Sequence, residues 1–204
     1  MHLYIKLSGL ILAVLVNSSW AEVTPKLNSY AIKATFGSYG IEIISQSEST
    51  RVANLFSLSG DSKICRTLAV TEFVLPTDPA LIKAHQVIRA GDSIGATLRA
   101  AGFTINKKLL IKTETAAGDE FVSLAQGSLL VGAPLYTKVY ALFAQQENLQ
   151  IPYAVIAEAY HPDHFPPEHK EFSEEPTLQK AADRALLTLR ATINQRQVKK
   201  SPAA

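Results

Sequence analysis

The sequence is poor in cysteine, methionine and tryptophan, with one of each in 204 residues. A lone thiol allows no internal disulfide, so no part of the fold rests on covalent cross-linking. Cys65, between Ile64 and Arg66 in a strand-like run, reads as a small core residue rather than a nucleophile. Charge of one sign is equally scarce, with 20 basic against 18 acidic residues and a net charge of +2. The basic residues cluster only at Lys107-Lys108 and Lys199-Lys200, which argues against a nucleic-acid partner. The chain lacks a Walker loop, a glycine-rich dinucleotide fingerprint and a Gly-x-Ser-x-Gly elbow, so no cofactor is implied. It also lacks internal repeats and an interdomain linker.

One long apolar run is present, Leu7 to Val16, and it is too short to span a bilayer. Lys6 precedes it, and Ser19-Trp20-Ala21 follows as a small-x-small site. This is the pattern of a secretory signal peptide over residues 1–21, cleaved before Glu22. No cysteine follows the run, so a lipid anchor is not expected. Cleavage takes the only Trp and Met and one basic residue, leaving 19 basic against 18 acidic. The expectation is a periplasmic or secreted protein with no stable membrane insertion. Residues 22–196 suit a single α+β domain, and 197–204 read as a disordered tail.

Period-two alternation predicts strands at 29–36, 40–46, 51–57 and 64–76, with turns at Gly37-Ser38-Tyr39-Gly40 and Ser59-Gly60-Asp61-Ser62. Asp78 as N-cap and Pro79 at the first helical position predict a helix to Val87. A second short helix opens at Gly91-Asp92-Ser93 and stops at Gly102. A strand at 103–114 is followed by the clearest hairpin, Leu135–Ala144 and Ile151–Tyr160 around a polar turn at 145–150. A helix from Thr177 to Gln195 has the apolar stripe Leu178, Ala182, Ala185, Leu186, Leu189 and Ile193. The fold class is α+β, a single antiparallel sheet of five to seven strands with helices packed on it.

Charged residues on apolar strands stand out. Glu72 shares a strand face with Leu68, Val70 and Val74. A carboxylate there must be paired, protonated or at the rim of a pocket, because burying it alone is costly. Lys138 shares a face with Tyr136, Tyr140 and Leu142, and Glu158 with Ala154, Ile156 and Tyr160. These residues suggest a polar spot in a sheet-lined pocket, or a structural Lys–Glu pair at an edge or dimer contact. His161, Asp163, His164, Glu168 and His169 crowd one loop with Pro162, Pro166 and Pro167. No second ligand cluster accompanies them, and a zinc site needs four donors, so a solvated loop and no metal is the expectation. The segment Gly91-Asp92-Ser93-Ile94-Gly95 could offer backbone N–H groups to an anion, although Asp92 opposes this.

The segment Leu75-Pro76, helix, Gly91-Asp92-Ser93-Ile94-Gly95-Ala96-Thr97-Leu98 resembles the start of chorismate pyruvate-lyases. The hairpin with Lys138, Pro152-Tyr153 and Ala157-Glu158 is similar to that family's central hairpin. The family ends in Leu-Thr-Glu-Leu-x-Leu-Pro, whose Glu lies in the active site. Here Val70-Thr71-Glu72-Phe73-Val74-Leu75-Pro76 stands before the helix, as a circular permutation would put it. The family's substrate-binding Arg aligns with Lys138, which brings charge without the bidentate fork. Its Pro-(Leu/Ile)-Gly segment is matched at best by Pro176-Thr177-Leu178.

The resemblance implies a lyase-like fold, shared with the UTRA-like ligand-sensing domains of transcription regulators. As an enzyme, the chain would eliminate pyruvate from chorismate: Lys138 would hold a carboxylate and Glu72, its pKa raised in an apolar pocket, would assist the leaving group. Ile94 and Leu178 would form the apolar wall, with Tyr136, Tyr140 and Glu158 also against the ligand. Export and the loss of the Arg favour binding of a small aromatic or acidic carboxylate without turnover. An envelope protein–protein interaction module is the further alternative, and a homodimer is compatible with each. The expectation common to both small-molecule readings is that Glu72 and Lys138 meet in one cavity.

Overall fold

The computed structural model describes residues 27–166 and 176–195. The segment read as a signal peptide, the 197–204 tail, Glu168 and His169 lie outside the described residues. The element order is α1 (Asn28–Phe36), β1 (Gly40–Gln46), β2 (Thr50–Ser59), β3 (Ser62–Phe73), α2 (Pro79–Arg89), α3 (Ile94–Ala100), β4 (Thr104–Ala116), α4 (Asp119–Leu124), β5 (Pro134–Gln146), β6 (Leu149–Tyr160) and α5 (Pro176–Ile193).

The strands form one antiparallel sheet in the order β1-β2-β3-β6-β5-β4. This is the expected α+β architecture. Alternation along each strand divides the sheet into two faces. The outer face carries Leu68, Val70, Val139, Ala141, Val155 and Ala157, and α4 and α5 cover it through Phe121, Ala182, Ala185, Leu189 and Ile193. The inner face carries Tyr140, Leu142, Ala154 and Ile156, packed under α2 and α3 through Leu81, Ile88, Ile94 and Leu98. Ile32 of α1 closes the same face over Ala53, Leu55 and Ala69.

Local sequence explains most of these elements. Asp78 accepts a hydrogen bond from Leu81 N at 2.9 Å, with Pro79 at the first position of α2. Ser93 occupies the N-cap position of α3 but makes no capping bond; its hydroxyl pairs with Tyr39. Of the predicted stripe, Ala182, Ala185, Leu186, Leu189 and Ile193 are buried on α5, and Leu178 is partly buried against the same core.

Two departures have physical causes. Residues 29–36, expected as a strand, form most of α1. Ile32 and Phe36 fit both the two-residue alternation and the i, i+4 spacing of a helix, and burial of Asn28 with Ile32 follows the latter. Gly37, expected in a hairpin turn, is the left-handed cap that ends α1, its φ at 77° and its N–H on Lys33 O. The one-and-a-half-turn α4 was not anticipated, and it is held by the completely buried Phe121.

Gly118, just before α4, sits where a Cβ would lie 2.5 Å from Ile193 O and 2.9 Å from Asn194 Cα at the end of α5. Both neighbours are backbone, so neither can turn aside. Gly118→Ala is expected to destabilise the fold by about 1–3 kcal/mol, read as a lower urea midpoint at an unchanged slope.

Candidate functional site

A cavity opens between the inner face of the sheet and helices α1 and α3. Its lining includes Asn28, Tyr39, Arg51, Ala53, Ala69, Thr71, Ile94, Lys107, Tyr140 and Glu158. Its volume is 60 Å³.

Arg51 is 3% exposed. Its Nη1 donates to Ile88 O at 3.1 Å and Asp92 O at 3.0 Å. The former carbonyl belongs to the last turn of α2, the negative end of the helix dipole. Its Nε is buried without a hydrogen-bond partner. Phe73 lies beneath, with its ring centroid 5.9 Å from the guanidinium. Burial pulls the Arg51 pKa down, yet a guanidinium stays protonated in proteins. No carboxylate among the described residues forms an ion pair with it.

On the other side Glu158 is 4% exposed. It accepts from the Tyr160 hydroxyl, from the Tyr140 hydroxyl and from Asn28 Nδ2 at 3.4 Å. Burial, followed by the negative charge of Glu158, holds both tyrosines well above their ordinary pKa. Asn28 also donates to Thr67 Oγ1 at 3.1 Å and accepts from His164 Nε2 at 2.7 Å. Because the Asn28 amide nitrogen is already donating, His164 carries its proton on Nε2, leaving Nδ1 as an unpartnered buried acceptor. Lys107, largely buried, lies 4.4 Å from the Tyr140 ring centroid. Burial lowers its pKa, Glu158 draws it back up, and Lys138 and Arg99 push it down again. Lys138 faces Glu158 directly across β5 and β6. Among the described residues, the buried charges of the inner face are therefore one carboxylate, Glu158, and three cations, Arg51, Lys107 and Lys138.

The expected meeting of Glu72 and Lys138 does not occur. Glu72 follows Leu68 and Val70 on the outer face, where Arg184 of α5 donates to its Oε2 from Nη2 at 2.8 Å and Nε at 3.2 Å. Leu178 lines the same outer hollow. Lys138 lies between Tyr136 and Tyr140 on the inner face. Two residues on opposite sides of a sheet cannot share a cavity beneath it. Ile94, Tyr140 and Glu158 do line the central cavity, while Tyr136 and Lys138 line a neighbouring hollow with Lys112, Tyr160, His161 and His164.

Arg51, Lys107 and Tyr39 were missed, although the signal was present. Arg51 alternates with Ala53 and Leu55, and Lys107 with Ile105 and Leu109, which is the pattern that singled out Glu72. The Gly91–Gly95 segment contributes through the Asp92 carbonyl held by Arg51.

A Ser–His–Asp arrangement was also missed. Ser128 Oγ lies 2.8 Å from His161 Nε2, and Asp163 Oδ2 3.7 Å from Nδ1. The Asp163 backbone N–H donates to Nδ1 at 3.1 Å, so the neutral ring carries its proton on Nε2, facing the serine. That tautomer cannot accept the hydroxyl proton, and the trio is not a nucleophile relay.

No family model matches the chain, and no curated protein matches it. Similar solved structures include a protein described as a regulator from Escherichia coli (11% identity, TM-score 0.42, covering 62% of this chain and 98% of that one). Two others are the ligand-binding domain of a protein described as a GntR-family regulator from Bordetella bronchiseptica (13%, 0.41, 65% and 91%) and a GntR-family regulator from Enterococcus faecalis (14%, 0.41, 66% and 96%). At these scores the functional reading rests on the cavity itself.

His164 is depressed to about 4, chiefly by burial and then by Arg66 and His161. His161 is lowered for the same first reason. Both rings release protons on folding, so the unfolded chain binds more protons between the folded values and about 6.5. Stability is expected to fall as pH drops from about 6.5 towards 4, and His164→Gln should flatten that slope in melting curves taken across the range.

Proposed function

We propose that this chain binds a small carboxylate in the cavity between Arg51 and Glu158, without turning it over. Arg51 carries this reading. It is a buried guanidinium fixed by two carbonyls, with an unused N–H and no carboxylate partner among the described residues. Burying a cation without a counter-charge is costly, and an anionic ligand removes that cost. Lys107, which lines the same cavity, strengthens the same preference. Absence of turnover is supported by the proton inventory. Glu158 already accepts three hydrogen bonds, and Tyr140 and Tyr160 hold their protons firmly.

Small carboxylates are expected to raise the melting temperature of the protein, as any ligand specific to the folded state does. At 100 times the dissociation constant the gain is about 2.7 kcal/mol. Arg184→Ala, on the opposite face, should respond as wild type. Arg51→Gln should lose the response, as should Ala69→Val, which fills the cavity floor without touching a charge. A wild-type protein indifferent to every small carboxylate, or an Arg51→Gln protein that responds normally, overturns the reading.

We further propose that the protein works after export, on the strength of Lys6, the Leu7–Val16 run and Ser19-Trp20-Ala21. N-terminal sequencing of protein from the producing cell should begin near Glu22. A chain still beginning at Met1 would refute export by this route.

A further inference from the structure

We infer that Lys107 is a nucleophilic amine, and that it captures a small aldehyde or ketone entering the central cavity as an imine. The inference goes beyond the carboxylate binding proposed above and does not depend on it.

Lys107 lies on β4, an outermost strand, between Ile105 and Leu109 in the alternation, and all three are buried. Its ammonium stands 4.4 Å from the centroid of the Tyr140 ring on the neighbouring strand. The residue lines the cavity together with Ile94, Leu142, Ile156 and Glu158, so most of the wall around it is apolar. An ammonium carries three N–H donors. Among the described residues none of the three meets an acceptor, since the Lys107 ammonium makes neither a hydrogen bond nor an ion pair there. Lys108 and Lys112 of the same strand also stand over rings, those of Phe143 and Tyr136, but neither lines this cavity. Lys107 is therefore the lysine of β4 that combines burial with a face towards the cavity.

A buried ammonium without acceptors sheds a proton more readily than an exposed one, and the neutral amine is the nucleophile. The charged groups around it are Glu158 on β6, Lys138 on β5 and Arg99 on α3. Glu158 favours the ammonium and the other two oppose it; with burial as the largest influence, the balance lies below the ordinary lysine value. In the capture step the amine nitrogen bonds to the carbonyl carbon, and the C=O π pair moves to oxygen. The oxygen takes two protons from the nitrogen and leaves as water, while the nitrogen lone pair forms C=N. Ammonium plus carbonyl compound thus gives protonated imine plus water. Atoms and charge balance, and no oxidant or reductant is needed. The product has one N–H where the ammonium had three, so two buried donors without acceptors disappear. Glu158 attracts the protonated imine as it attracts the ammonium. Water reverses the step, so capture is binding rather than turnover.

The test is reductive trapping of the full chain at neutral pH with propanal or pyruvate and cyanoborohydride, which turns the imine into a stable secondary amine. Peptide mass spectrometry then reads the rate at each lysine. With one or both compounds, trapping at Lys107 should be on the order of tenfold faster than at Lys108 and Lys112, which share its strand and a ring neighbour. Raising the pH through about 10.4, where an ordinary lysine becomes neutral, should narrow that gap. Unfolding in guanidinium chloride should abolish it, because the advantage comes from the cavity wall. Propanal has no carboxylate, so its capture reads the amine separately from Arg51. If both compounds trap Lys107 no faster than Lys108 or Lys112, the inference is overturned while carboxylate binding stands. A preference that survives unfolding or high pH overturns it as well.

Discussion

A carboxylate enclosed on the inner face of β6 sets the terms for much of this molecule. Glu158 is nearly inaccessible, and a buried charge is tolerated only when its lone pairs are met. The donors come from three separate parts of the chain: Tyr140 on β5, Tyr160 two residues further along β6, and Asn28 at the start of α1. Asn28 is in turn fixed by Thr67 on β3 and by His164 in the loop after β6. One acid therefore ties a helix, three strands and a loop together, and the first helix is anchored to the sheet by a polar residue as well as by Ile32.

Arg51 plays the complementary part on β2. Its guanidinium closes the turn between α2 and α3 by holding Ile88 O and Asp92 O. Carbonyls orient a guanidinium but do not neutralise it, so the positive charge stays available to the cavity. Glu72 illustrates the opposite outcome. It too lies on an apolar strand face, but α5 brings Arg184 onto it, and the pair sits at the edge of solvent, where such bridges contribute roughly 0–1 kcal/mol. Glu72 is satisfied, whereas Arg51 has hydrogen-bonding capacity to spare.

The exposed flank of the sheet uses its lysines differently. Lys107, Lys108 and Lys112 on β4 lie over the rings of Tyr140, Phe143 and Tyr136 of the neighbouring strand, at 4.4, 5.3 and 5.5 Å from the centroids. Charge along an outermost strand discourages pairing with other chains, and its alkyl stems cover aromatic surface. Of these lysines, Lys107 also lines the cavity, so edge protection and the positive potential of the pocket share a residue.

The amino-acid sequence by itself determined most of the strands, the cap of α2 and the polarity of individual positions. Alternation identified β1, β2, β3, β5 and β6, and Asp78-Pro79 marked the start of α2, because these signals are local and depend on side-chain period and backbone preference. It also flagged Glu72, Lys138 and Glu158 as charges on apolar strands. Only the tertiary structure decided which charges meet. The β3–β6 register and the packing of α5 send Glu72 outward to Arg184, while the register across β2, β3 and β6 sets Arg51 and Glu158 on one face. A side-chain period of two tells which residues share a strand face, but not which helix covers that face. That choice is made by packing between distant segments, and it is packing that turned Arg51 and Lys107, neither of them singled out as a site residue from the sequence, into walls of the cavity.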